Sequence, residues 1–126
     1  MTRQIVAVRS ATLALAITFA ACSPTEPGEG GKRWDKDEPA TVTRSGVKLV
    51  IRYHSSDEEF RGTMTNTTSS SVSDARVEIH LSNGKELGPT PRTTLAGDES
   101  KDVTLDAAGQ RFSWFSVHIE LGGDSG

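Results

Sequence analysis

Cysteine is all but absent: Cys22 is the only one in 126 residues. No intramolecular disulfide can form, so any fold must stand on its core alone. Aromatic residues are scarce, with four phenylalanines, two tryptophans and one tyrosine, which leaves few large groups to fill a core or anchor a binding surface. Long apolar runs are missing too. The longest, Ala11 to Ala21, is about half the ~20 residues a membrane-crossing helix needs. Neither a glycine-rich phosphate loop nor a glycine-flanked serine elbow occurs. A basic stripe is lacking as well: 14 basic residues less Arg3 and Arg9 of the leader leave 12 against 17 acidic ones, a net charge of −5. That balance excludes a nucleic-acid partner, which would require clustered cations to displace counterions from phosphate.

What is present begins at the N-terminus. Arg3 and Arg9 precede an uncharged stretch from Ser10 to Ala21, and small residues lead into Cys22, the layout of a bacterial secretory signal. Phe19-Ala20-Ala21-Cys22 resembles the lipobox of bacterial lipoproteins, with Phe19 where leucine is usual. The resemblance implies cleavage before Cys22, a diacylglycerol on its thiol and a mature chain anchored in a bacterial membrane. Ser23 then resembles the outer-membrane sorting default of a cell with two membranes. Two acyl chains hold a protein on a bilayer where one binds only marginally. The alternative is a secreted protein cut near Ala20 or Ala21, with Cys22 a free thiol. The expected organisation is a signal peptide over 1–21, a lipidated N-terminus and flexible linker over 22–44, a β domain over 45–122 and a tail over 123–126. Between Ser23 and Ala40 three prolines, three glycines and many charges surround Trp34 alone as a large apolar residue. Such a composition buries too little surface to offset ordering entropy. Trp34 reads either as an exposed or folded-back linker residue or as an anchor at a membrane interface or partner.

From Gly46 the pattern has a period of two. Val47, Leu49, Ile51 and Tyr53 alternate with Lys48, Val50, Arg52 and His54; Phe60, Gly62 and Met64 alternate with Arg61, Thr63 and Thr65. Val77, Ile79 and Leu81 form the clearest strand, and Asn83-Gly84 after it predicts a type I′ hairpin turn. Glu86-Leu87-Gly88 predicts a short edge strand that Pro89 and Pro91 stop. Val103 and Leu105 mark another strand, and Phe115, Val117 and Ile119 share one face of the last, opposite Trp114, Ser116, His118 and Glu120. No segment beyond the leader has a helical period. The chain therefore predicts an all-β fold, an antiparallel immunoglobulin-like β-sandwich of six to seven strands. Its expected core is Val47, Leu49, Ile51, Phe60, Met64, Val77, Ile79, Leu81, Leu95, Val103, Leu105, Phe115, Val117 and Ile119.

Four segments carry a family resemblance: Phe60 to Thr67 (FRGTMTNT), Val77 to Leu81 (VEIHL), Leu87-Gly88, and Leu95 to Ser100 (LAGDES). In this order they resemble the FxLYD-type domains of bacterial envelope proteins, over about two thirds of the chain. The chain departs from that pattern at Leu81-Ser82-Asn83, which lacks the Tyr-Asp pair, and at Ala96, which replaces a proline. His80 to Thr90 (HLSNGKELGPT) also resembles a signature of small bacterial domains without a known activity. These resemblances imply a binding or spacing module with no shared catalytic residues.

A functional reading follows from faces. Nucleophilic catalysis needs a base beside the nucleophile and a third group to orient it, and nothing in the sequence assembles that set; no enzyme and no cofactor is expected. His54, His80 and His118 fall on strand faces opposite the core. They make a candidate metal site, with Glu78 or Glu120 completing it, if their strands are neighbours; otherwise they are three unrelated surface histidines. The acidic runs Asp57-Glu58-Glu59 and Asp98-Glu99 lack the spacing of an EF-hand. Phe112, Trp114 and Trp34 are the candidate binding surface for another envelope protein or a glycan. A passive envelope spacer is the competing reading.

Overall fold

Residues 31–122 are described in the computed structural model, and alternation of apolar and polar side chains organises them. The expected signal peptide, Cys22, the first part of the expected linker and the expected tail lie outside the described residues. Nine strands follow one another: β1 (Trp34–Asp35), β2 (Ala40–Arg44), β3 (Val47–His54), β4 (Glu59–Asn66), β5 (Val72–Leu81), β6 (Glu86–Leu87), β7 (Thr93–Leu95), β8 (Ser100–Asp106) and β9 (Trp114–Glu120). Among the described residues no helix is long and apolar enough to cross a membrane.

The strands form two antiparallel sheets packed face to face. One has the order β2-β3-β4-β8; the other has the order β1-β9-β5-β6, with β7 also paired to β5. The chain leaves the first sheet after β4 and returns to it as β8 beside β4, then re-enters the second as β9 beside β5. This Greek-key connection is that of the expected immunoglobulin-like sandwich.

Strand number and domain boundary differ from expectation. Nine strands replace six or seven, and two of the additional ones come from the stretch read as linker. In β2, Ala40 and Val42 point inward while Thr41 and Thr43 stay exposed, and the strand pairs with β3 from Ala40↔Ile51 to Arg44↔Val47. Ser45 and Gly46, with φ of 47° and 81°, close that hairpin in the two-residue, positive-φ turn that matches strand twist. Trp34 pairs with Phe115 and packs against the core, rather than marking an exposed tether. Charge and proline density hid these strands, because each buries only one or two side chains.

The Asn83-Gly84 turn differs as well. Only Gly84 has positive φ, 88°; its N–H donates to the Leu81 carbonyl at 2.9 Å, and the Leu81 N–H donates to the Lys85 carbonyl at 2.8 Å. This is the three-residue turn with a left-handed glycine in third place rather than a type I′ turn.

All fourteen expected core residues are buried, joined by Ala40, Tyr53, Ala75, Leu87 and Ala107. Phe60 lies at the centre, its ring 4.9 Å from Phe115 and 5.1 Å from Tyr53. Phe112 closes the end of this stack at 4.9 Å from Tyr53. Such tilted and edge-on pairs each add about 0.5–1.5 kcal/mol beyond the area they bury.

The hydroxyl-rich connection after β4 is held by Asn66, which is 0% exposed. Its Nδ2 donates to the carbonyls of Ser70, Leu95 and Ala96 at 2.7, 3.1 and 3.1 Å. Its Oδ1 accepts from the Thr68 N–H and hydroxyl at 3.0 and 2.7 Å. One buried amide thus ties the crossover between sheets to the β7–β8 turn.

Candidate functional site

Register determines which polar side chains meet on the outer face of the second sheet. Across β5 and β9 the pairs are Arg76↔Glu120, Glu78↔His118 and His80↔Ser116, and β6 sets Glu86 beside His80. Directly opposed side chains in an antiparallel pair share a face, so these residues form one block. His80 Nε2 lies 2.6 Å from Glu78 Oε1 and 3.5 Å from Glu86 Oε1. The rings of His80 and His118 are 4.6 Å apart, and Ser116 Oγ is 3.2 Å from His118 Nε2. Arg76 pairs with Glu120 at the far end.

The block is crowded for an outer face. Glu78, His80, Trp114, His118 and Glu120 are half-buried, and Ser116 is only 4% exposed. Crowding shifts protonation in two places. A hydrogen bond from the protonated Glu86 carboxyl to Glu78, together with the negative charge of Glu78, pushes the Glu86 carboxyl above the usual carboxylate range. Burial, followed by the nearby His80, pulls His118 below the ordinary histidine value and keeps its ring neutral. Both follow from disfavouring a charge that is desolvated or set beside its like.

Next to the block, an open cleft of about 230 Å³ is lined by Gly31, Arg33, His80, Leu81, Trp114 and Ser116, among others. The Arg33 guanidinium lies 4.1 Å over the Trp114 ring, a cation–π contact worth about 0.5–1 kcal/mol at an exposed site. This combination offers an aromatic wall, a cation and an imidazole to one polar ligand.

The structure separates the residues singled out in the sequence. His80 and His118 come together, and Glu78 joins them. His54 ends β3 and lies on the outer face of the opposite sheet, so it does not take part. Trp114 lines the cleft. Trp34 faces inward; its ring is capped by Lys32 at 3.9 Å, and its buried Nε1 has no hydrogen-bond partner among the described residues. Phe112 packs on Tyr53 and Phe60, on the core side rather than beside Trp114. Glu86 and Arg33 are additions that strand periodicity could not reveal. Glu86 sits on a two-residue strand whose register is fixed by the Gly84 turn, and Arg33 precedes β1 in the stretch read as tether.

Chemically, the block offers metal-ligand atoms: one each from Glu78, His80 and Glu86 lie within 4.8 Å of one another. Ser116 and His118 are spaced like a nucleophile and base, but the serine is covered and the cleft is lined by only one of the three histidines. Comparison with family models, with curated proteins and with solved structures finds no match to this chain.

Proposed function

We propose that this protein is a lipid-anchored component of a bacterial cell envelope, whose sandwich is a non-catalytic binding module for a polar partner, an envelope protein or glycan. The observation that carries the reading is the contrast between the two outer faces. The β1-β9-β5-β6 face presents a half-buried polar block and a cleft with Arg33, His80 and Trp114; the opposite face is mostly exposed, with His54, Glu59 and Thr65 half-buried, and its more open hollow of about 350 Å³ along Arg61, Thr63, Asp102 and Thr104 has neither an aromatic nor an imidazole wall. Val50, 41% exposed, is the only large hydrophobic residue exposed among the described residues, which favours a polar partner over an apolar one.

The leader supports the anchor. Gly31 lies nine residue steps after Cys22, a reach of about 30 Å at full extension. A lipid on Cys22 therefore keeps the cleft within that distance of the bilayer, whatever the conformation of the connecting chain. Because the resemblance to FxLYD-type envelope domains implies binding or spacing, it agrees with this reading. A purely passive spacer would make no use of the cleft.

Two experiments test the proposal. Intact-mass analysis of membrane and soluble fractions is expected to find a mature chain beginning at acylated Cys22, released from the membrane by Cys22→Ala. A soluble, unmodified chain would remove the anchor. For the module, the full chain carrying Cys22→Ala is incubated with isolated envelopes of the source cell. Retention is expected to fall at least about tenfold in the Arg33→Ala/Trp114→Ala double variant, as for the loss of interfacial Arg and Trp hot spots, and to stay unchanged in Thr63→Ala/Thr104→Ala. Equal retention of both variants would refute the assignment.

A further inference from the structure

Three metal-ligand atoms, an imidazole nitrogen and two carboxylate oxygens, converge on one point of the crowded face. A neutral imidazole has one N–H and one acceptor nitrogen. His80 Nε2 points at two carboxylates, Glu78 Oε1 at 2.6 Å and Glu86 Oε1 at 3.5 Å, and can donate its single hydrogen to only one of them at good geometry. The two carboxylates meanwhile lie diagonally across β5 and β6, since Glu86 is opposite His80, with ligand atoms within 4.8 Å of each other. A cation placed among the three atoms relieves both conflicts.

We propose that Glu78, His80 and Glu86 form a binding site for a divalent first-row transition ion of the zinc type. Imidazole with carboxylate oxygen is a zinc, copper or nickel ligand set, whereas calcium and magnesium take oxygen alone. With metal–ligand bonds of about 2.0–2.2 Å in a tetrahedron, ligand atoms stand about 3.3 Å apart. The three atoms already lie within 4.8 Å of one another, so rotation of the glutamate side chains is enough to close the shell. Two of the ligands are rigidly placed: Glu78 and His80 alternate on one face of a ten-residue strand whose pairing with β9 fixes it on one side. Glu86 is brought in by the tight turn and pairs directly with His80. The ring of His118, 4.6 Å from that of His80, restricts where His80 can turn. Three protein ligands at a half-exposed position leave the fourth open to water or to an atom of a bound partner, in the manner of an open zinc site.

The site adjoins the cleft and deepens the reading of this face as a binding surface, but it does not depend on the lipid anchor. The test uses the full chain with Cys22→Ala, which removes the only thiol, purified without a polyhistidine tag and stripped with chelator. Calorimetric titration with Zn²⁺ is expected to give one ion per chain. Affinity should fall at least about tenfold in His80→Ala and in Glu86→Gln, given that even outer-shell changes cost 10–100-fold, and should be unchanged in His54→Ala. Glu86 is exposed on a strand edge, so Glu86→Gln keeps the test valid should His80→Ala unfold, and circular dichroism of each variant reports that directly. Absence of Zn²⁺ binding, or binding equal in wild type, His80→Ala and Glu86→Gln, would overturn the proposal. Envelope retention that persists in chelator while Zn²⁺ fails to bind would remove the metal and leave the binding module standing.

Discussion

The outer faces of the two sheets share one sequence pattern and differ in what they build. On the β2-β3-β4-β8 face, Lys48, Val50, Arg52, Arg61, Thr63, Asp102 and Thr104 are all exposed. On the β1-β9-β5-β6 face, Arg76, Glu78, His80, Trp114, Ser116, His118 and Glu120 are all half-buried or buried. Each set alternates with core residues at a period of two. The difference lies in cross-strand partners: lysine and threonine reach into water and Arg61, though paired with Glu59 and Asp57, stays exposed, whereas two histidines in tilted contact, a glutamate pair, an ion pair and an arginine-capped tryptophan cover one another. A polar alternate position is therefore not equivalent to a solvated one, and register decides which it becomes.

The sharpest way to break the comparison is to place the same intrusive side chain on both faces. Ser116→Lys should destabilise by about 2–3 kcal/mol, because it forces a charge and extra volume into a covered position. Thr63→Lys should stay within about 0.5 kcal/mol, as surface changes do. Urea midpoints of the two variants check this, and similar shifts would mean that the second face is as open as the first.

A smaller loss is expected at the crossover that joins the two faces. Asn66→Ala removes a buried amide that serves five hydrogen bonds and should cost about 1–3 kcal/mol from the carbonyls and N–H groups it leaves unpaired, with faster amide exchange at Thr68 and in the β7–β8 turn. An unchanged urea midpoint would show that the crossover does not need that amide.

The smallest effect concerns pH, measured in chelator. His118 has a folded-state value below its ordinary 6.5, so the unfolded chain binds the proton more readily. Stability is then greatest above about 6.5 and declines as pH falls through 6.5 toward the folded value. His118→Gln should flatten this decline, whereas a matching change at His54 on the other face should leave it in place. A slope that survives His118→Gln would locate the titration elsewhere.

Much of the sandwich was legible because core positions obey a local rule. Leu49, Ile51, Val77, Ile79, Val117 and Ile119 announce their burial by alternation within single strands, and all are buried. β1 and β2 were not legible: Trp34, Ala40 and Val42 are too few among prolines, threonines and charges to register as a period. In the candidate site, the meeting of His80, His118 and Glu78 depended on β5 and β9 being neighbours, which the sequence posed only as a condition. Glu86 and Arg33 were beyond reach, since one depends on the geometry of the Gly84 turn and the other on a strand hidden in the tether. His54 looked equivalent to its two counterparts because alternation assigns a face of a strand and not a side of the molecule.

The most direct test of the central claim, that one outer face is built for binding and the other is not, is site-specific photo-crosslinking in the source cell. A benzophenone side chain replaces Trp114 in one version of the full chain and Thr63 in another. The account predicts a discrete crosslinked adduct from position 114 and none from position 63. Adducts from position 63 alone, from both positions equally or from neither would contradict it.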